Sequence, residues 1–300
     1  MRHESAGLLL ALAGFVSLSL GDAIVKSMAG LWPPTAIALV RYALGASGLI
    51  VLVLHREGPR ELLRLPRPGL QLLRGLSVSL ATICFFSAIF LMPLAEAASI
   101  TFTSPMLTAA LSALFLREPA SRSTWGAMLA AFCGVLIVLR PNFAALGVAA
   151  LLPLVTAMGL SMLFICNRLV AGQASALAMQ VYVAVAALPL LIVATLVGHY
   201  SGLAGFHVGW PGASVLLRCA IVATTATLGH YLIYLGTARA GAAKAAPMTY
   251  AQLLVAALLG WLWFGDVPDL TALAGASIIV GSGIWLWREE WKRVRRVEVL

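Results

Sequence analysis

The chain has 300 residues, of which 61% are hydrophobic and only 10% charged, and its mean hydropathy is +0.98. Soluble domains carry about 25% charged and 45–50% apolar residues, so this composition excludes a soluble globular protein and requires contact with lipid. A net charge of +9 raises nucleic acid as a partner, and the placement of the charges, taken below, argues against it.

A helix that crosses the hydrocarbon core needs about 20 mainly apolar residues. Breaks at Pro, Gly and charge clusters divide the chain into ten such spans. The first, 7–29, is too long for a signal-peptide core and lacks a cleavage site followed by a polar mature chain, so it reads as a membrane helix. It closes with GDAIVKSMAG (21–30), which sets Asp22 and Lys26 one turn apart on one face. Two readings stand. The two form a self-neutralising pair that makes insertion tolerable, or they belong to a cavity wall that meets a substrate's ammonium and carboxylate or cycles a proton.

Span 2 (34–54) carries Arg41, in the same half of the bilayer as Asp22 and Lys26. Arg41 pairs with Asp22 or Glu96, or holds a substrate carboxylate with its planar fork. Span 3 (70–92) opens with Arg74, an interfacial anchor, and carries Phe86 and Phe90. Span 4 (95–116) begins with Glu96, an acid suited to a helix N-terminus. Near its centre stand Thr101, Thr103, Ser104 and Pro105. Pro105 lacks an N–H, and its ring disturbs the carbonyl of Thr101. Freed backbone of this kind is tolerated where it lines a polar cavity or finds a neighbour, so the stretch is pathway lining or a structural kink.

Span 5 (124–140) shows Gly126, Ala130 and Gly134, a ridge of small residues for close helix approach, within the bundle or across a dimer. Spans 6 (147–167) and 7 (176–198) follow. Span 8 (212–236) opens with Arg218, a second anchor, and carries Thr227, His230, Tyr231 and Tyr234 at three- and four-residue spacing. His230 is a core histidine, or a proton or substrate contact. Span 9 (244–264) places Tyr250 and Gln252 at midplane after Pro247, and Asp266 follows it as Glu118 follows span 4. Span 10 (270–288), with a weaker ridge at Ser277 and Gly281, leads into a basic tail.

With a cytoplasmic N-terminus, fifteen Lys and Arg fall in inner loops and tails and only Arg140 in an outer one. That asymmetry places both termini in the cytoplasm and makes the tail a surface anchor beside anionic lipid. Nucleic acid is therefore not the partner. Cys84, Cys133, Cys166 and Cys219 stand singly in apolar runs, so neither a metal site nor a disulfide framework is indicated.

Spans 1–5 repeat as spans 6–10. GLQLLRGLSVSL (69–80) matches ASVLLRCAIVAT (213–224), TAIALVRYALG (35–45) matches SALAMQVYVAV (175–185), and SPMLTAALSALFLREPA (104–120) matches QLLVAALLGWLWFGDVPD (252–269). Five is odd, so the second copy is inverted relative to the first, the architecture of a secondary transporter with a central site. The two repeats are bounded as 1–141 and 142–300. AEAASITFTSPMLTAALSALFLREP in span 4 and PMTYAQLLVAALLGWLWFGDVPD in span 9 resemble the two signature copies of the EamA-type transporters of the drug/metabolite transporter superfamily. LGDAIVK in span 1 and the arginine of span 2 fit the same pattern. The family's helix-4 proline is Pro105 in the first copy but Leu253 in the second.

The resemblance implies ten helices, a cavity lined mainly by spans 1, 3, 4, 6, 8 and 9, and alternating access. Within the family the chain is most similar to bacterial exporters of amino acids, aromatic ones included. That implies an inner-membrane protein, monomeric or dimeric, with a small-molecule substrate and no cofactor. Exporters or exchangers of cationic drugs, nucleotides or sugars, and uptake permeases, are the alternatives. Pathway candidates are Asp22, Lys26, Arg41, Phe86, Thr101, Ser104, Pro105, His230, Tyr234, Tyr250 and Gln252, with Asp22 and His230 for proton coupling. An intramembrane enzyme is the competing class, and no HExxH, GxSxG or phosphate-binding loop supports it.

Overall fold

The structure, a computed structural model, describes residues 2–115, 122–170, 172–203, 205–240, 248 and 250–298, and all regular structure among them is helical. The helices are α1 (Arg2–Lys26), α2 (Pro34–Arg56), α3 (Pro59–Leu63), α4 (Pro68–Leu91), α5 (Leu94–Thr101), α6 (Ser104–Phe115), α7 (Arg122–Leu146), α8 (Leu152–Val170), α9 (Ala176–Tyr200), α10 (Ala213–Ala240), α11 (Tyr250–Phe264) and α12 (Leu270–Glu298). Six helical stretches among the described residues are long and apolar enough to cross a membrane, and shorter apolar helices lie at Trp125–Val138, Ala251–Phe264 and Leu270–Trp285. Together with α5 and α6, which share span 4, these account for the ten expected spans.

The chain turns where its local chemistry requires it. Gly30, at φ +77°, ends the first turn after α1 in a left-handed conformation, and Pro34 starts α2 where a missing N–H is harmless. Gly172, at φ +75°, takes the same role after α8, and Ser175 then caps α9 by accepting from the amide of Ala178 at 3.0 Å. Asp269 caps α12 through the amide of Ala272, and that hydrogen bond holds its carboxyl below the usual value.

Three spans differ from expectation. Span 4 is two helices with a turn at Phe102 and Thr103, not one kinked helix. Pro105 falls in the first turn of α6, where its absent N–H leaves no ladder bond unmade. Span 5 does not stop at Arg140. The helix runs on to Leu146 and passes through a 3₁₀ turn (Gly147–Leu151) straight into α8, so the expected outer loop is helix. Span 9 starts regular helix only at Tyr250; Glu118 and Pro247 lie outside the described residues.

The two halves interlock through symmetric contacts. Ser17 donates to the carbonyl of Thr225 at 2.9 Å, and Thr156 donates to that of Ala81 at 3.2 Å. Ala81 and Thr225 are the same repeat position. Ser19 donates to the carbonyl of Gln252 at 3.1 Å, and Ser161 to that of Ser104 at 2.9 Å. Those acceptors are again repeat equivalents, so the first helix of each half is bonded to the third and fourth of the other. Glycines allow this approach. A Cβ on Gly14 would stand 2.7 Å from the carbonyl oxygen of Gly229, and one on Gly159 2.8 Å from that of Ser77.

The ridge on α7 serves internal packing. Gly134 faces the carbonyl of Gly275, and Gly126 faces the ring of Trp285, both on α12. The weaker ridge does not take part: a side chain on Gly281 would meet nothing within 4 Å. Among the described glycines Gly75 is the tightest site, its Cβ position 2.4 Å from the backbone of Ala186 on α9, whereas Gly48 faces open space. Gly75→Ala is expected to destabilise the bundle by about 1–3 kcal/mol, read as a lower thermal unfolding midpoint in detergent. Gly48→Ala should leave that midpoint within about 0.5 kcal/mol of wild type.

Candidate functional site

Between the halves lies a cavity of about 570 Å³. The first half contributes Asp22 from α1, Arg41 and Tyr42 from α2, Arg74, Thr82, Phe85 and Phe86 from α4, Thr101 from α5 and Ser104 from α6. The second half answers with Phe164 and Asn167 from α8, Gln180 from α9, Thr227, His230 and Tyr231 from α10, and Gln252 from α11. Seven of the sequence-derived candidates therefore share one space: Asp22, Arg41, Phe86, Thr101, Ser104, His230 and Gln252. Pro105, Tyr234 and Tyr250 are placed by backbone alone, their side chains lying outside the described residues. Spans 2 and 7 also contribute walls, beyond the six spans expected.

One end of the cavity is shut. Beyond Asp22, Lys26 turns away from the cavity and meets Asp266 at 2.5 Å, also donating to the carbonyl of Met92 at 3.1 Å. Its ammonium lies 5.1 Å from the centre of the Phe264 ring. Arg218 donates to the carbonyl of Ser27 at 2.9 Å, tying the start of α10 to the end of α1. The expected Asp22–Lys26 pair is thus not formed. Residues at i and i+4 share a face, but the loop after α11 brings a carboxylate to Lys26, and Asp22 accepts instead from Gln252 Nε2 at 3.1 Å. Asp266 is a latch between α1 and the end of α11, and Arg218, expected as an interfacial anchor, caps a helix end.

The opposite end lies under the arginine-rich segment 56–67, where α3 packs on α9. Arg74 is only 3% exposed, which corrects its reading as an interfacial anchor. A guanidinium at that depth needs partners, and it donates to Asn167 Oδ1 at 2.6 Å and to Gln71. Asn167 and Gln180, at the ends of α8 and α9 nearest this basic segment, carry the cavity wall down to it.

Arg41 sits higher, with its guanidinium carbon 5.2 Å from the Tyr42 ring centre and 5.4 Å from that of Phe86. No carboxylate among the described residues lies within ion-pair distance of it. His230 is solvent-accessible at the cavity surface, not a packed core histidine. Among the described residues no cluster of His, Cys, Asp and Glu is placed to hold a metal. Sequence reasoning missed Tyr42, Asn167 and Gln180 as wall residues. Asn167 and Gln180 stand near span ends, where polar side chains carry the same signal as ordinary interfacial residues, and Tyr42 shows its face only once α2 packs beside α4, its hydroxyl 3.2 Å from Thr82 Oγ1.

Comparison with known proteins places the architecture. The sequence model of the EamA-like transporter family matches residues 5–140 and 147–288. The pseudopaline exporter CntI of Pseudomonas aeruginosa is 29% identical over 292 residues, covering 94% of this chain and 96% of that protein. A riboflavin transporter of Vibrio cholerae is 30% identical, covering 94% of each chain. An S-adenosylmethionine uptake transporter of Rickettsia bellii is 24% identical, covering 99% and 98%. A solved crystal structure superposes with a TM-score of 0.63 at 19% identity, covering 94% of this chain and 96% of that one, a likeness of fold.

If the Lys26–Asp266 pair keeps its end shut, Lys26→Gln weakens the seal. A cysteine at Ala223 in a cysteine-free background is then expected to react roughly fivefold faster with an impermeant thiol reagent added from the Lys26 side, the ratio that about 1 kcal/mol gives. The exchanged double variant Lys26→Asp/Asp266→Lys should restore slow labelling, measured by mass shift.

Proposed function

The chain belongs to the EamA-like transporter family, and from that premise we propose a secondary transporter that moves small amphipathic metabolites by alternating access, with amino-acid export as the first assignment. The observation that carries this reading is the cavity itself: sealed at Lys26–Asp266, continuous to the basic end, and shared by both halves. Its volume lies within the range of about 300–1,000 Å³ usual for small-molecule sites. The positive-inside rule assigns the basic end to the cytoplasm, so both termini are cytoplasmic and the cavity receives cargo from inside the cell. That favours export across a bacterial inner membrane. The relatives' cargoes are pseudopaline, riboflavin and S-adenosylmethionine, some exported and some taken up. They define the rival panel.

The two repeats, 1–141 and 142–300, are the moving halves. In the sequence the repeat counterparts of Asp266 and Lys26 are Glu118 and Arg168. Asp22 is the first candidate for proton coupling, since it faces the cavity with one oxygen held by Gln252, and His230 is the second. No chemistry on the cargo is required, and no cofactor.

Flux of labelled aromatic and aliphatic amino acids, riboflavin and S-adenosylmethionine in proteoliposomes, with and without a pH gradient, tests the assignment. Saturable amino-acid flux supports it; flux confined to riboflavin or S-adenosylmethionine moves the cargo to the relatives' class. Asp22→Asn is expected to lower gradient-driven accumulation at least tenfold. Wild-type accumulation in that variant would remove Asp22 from coupling.

A further inference from the structure

The charges of the cavity are distributed unequally between two halves that otherwise match. Ser19 and Ser161, and Gly30 and Gly172, fix the register of α1 on α8. In that register Asp22 corresponds to Phe164, and the match of 35–45 to 175–185 sets Arg41 against Val181. Both charges near the sealed end therefore come from the first half. Their counterparts are apolar, and Phe164, with Leu160 and Leu163 beside it, forms an apolar wall on α8.

Arg41 is held in an unusual way for a membrane arginine. Aromatic rings of Tyr42 and Phe86 lie beside its guanidinium, and Phe86 is itself only 1% exposed and fixed in the core. Stacking of this kind orients a guanidinium without using its N–H donors. Among the described residues, no carboxylate or carbonyl takes those donors, although the cavity is partly enclosed and Arg41 half-buried. Such an arginine is matched by a planar anion that accepts from the fork edge-on, as a carboxylate does. Asp22, in the same cavity, has one oxygen committed to Gln252 and offers the other to a cation.

We infer that Arg41 is the carboxylate-binding subsite of the cavity, and that the cargo is an amphipathic zwitterion: carboxylate on Arg41, ammonium toward Asp22, apolar tail against the Phe164 wall. This assignment rests on the transporter reading above and narrows it. It orders cargoes by their head group, because removal of the carboxylate leaves Arg41 unpaired and removal of the tail leaves the α8 wall uncovered. Glycine is then a poorer ligand than phenylalanine or leucine.

The test uses full-length protein in nanodiscs, with L-phenylalanine, L-phenylalaninamide, 3-phenylpropionate and 3-phenylpropionamide as probes. Binding is read by calorimetry, and protection of Arg41 from phenylglyoxal by peptide mass spectrometry. In wild type, L-phenylalanine is expected to bind about 10- to 100-fold more tightly than its amide, the range that a hydrogen-bonded charge supplies, and to protect Arg41. In Arg41→Gln, checked for an unchanged unfolding midpoint, the two should bind equally; Arg41→Lys should restore part of the difference. Equal binding of acid and amide to wild type overturns the subsite. If no amino acid binds but 3-phenylpropionate alone protects Arg41, the subsite stands and amino-acid export falls. If neither the amino acid nor 3-phenylpropionate protects it, the subsite falls.

Discussion

Ser19 and Ser161 each donate a hydroxyl to a backbone carbonyl of the opposite half, and those carbonyls belong to Gln252 and Ser104 at the repeat-equivalent places in α11 and α6. Both hydroxyls are fully buried, and in hydrocarbon they have no water to turn to. Each finds an acceptor on the fourth span of the other half. These bonds fix how the two halves meet, and the cavity, lined by Ser104 and Gln252 themselves, lies at that place.

Close packing around that cross-bonded centre follows from glycine placement. α1 meets α10 at Gly14 and Gly229, α4 meets α8 at Gly159, and α7 meets α12 at Gly134 and Gly275. These contacts bring backbones together without side-chain obstruction, which is how helices associate where the hydrophobic effect gives no preference for one another over lipid. The large apolar side chains then point outward: Leu129, Val197, Leu217 and Leu254 are all more than 60% exposed. They are the lipid-facing surface that the composition demands.

The charged residues divide into two kinds once the helices are assembled. Lys26, Arg74 and Arg218 have found fixed partners in Asp266, Asn167 and the Ser27 carbonyl, and these tie helix ends together across the halves. Asp22 and Arg41 face the cavity with capacity to spare. The first kind ties the two halves together; the second lines the cavity between them.

Much of this was legible in the amino-acid order. Ten spans, the inversion implied by an odd repeat, and the concentration of basic residues at one end all follow from hydropathy and charge, because hydrocarbon thickness and backbone hydrogen bonding leave a spanning chain few choices. Seven cavity residues were legible too, since a polar group at midplane must face protein or water. Partner choice was not. Helical spacing puts Lys26 beside Asp22, yet Lys26 takes Asp266, more than two hundred positions away, because the inverted packing of α1 beside α11 delivers that carboxylate within reach. Arg74 shows the same limit: its position at a span start reads as interfacial, and only the approach of α8 buries it against Asn167. Sequence by itself determined which segments cross the membrane and that they come as two inverted copies. Tertiary structure alone decided which charges cancel and which remain free, because that depends on distances between helices that no spacing along one helix contains.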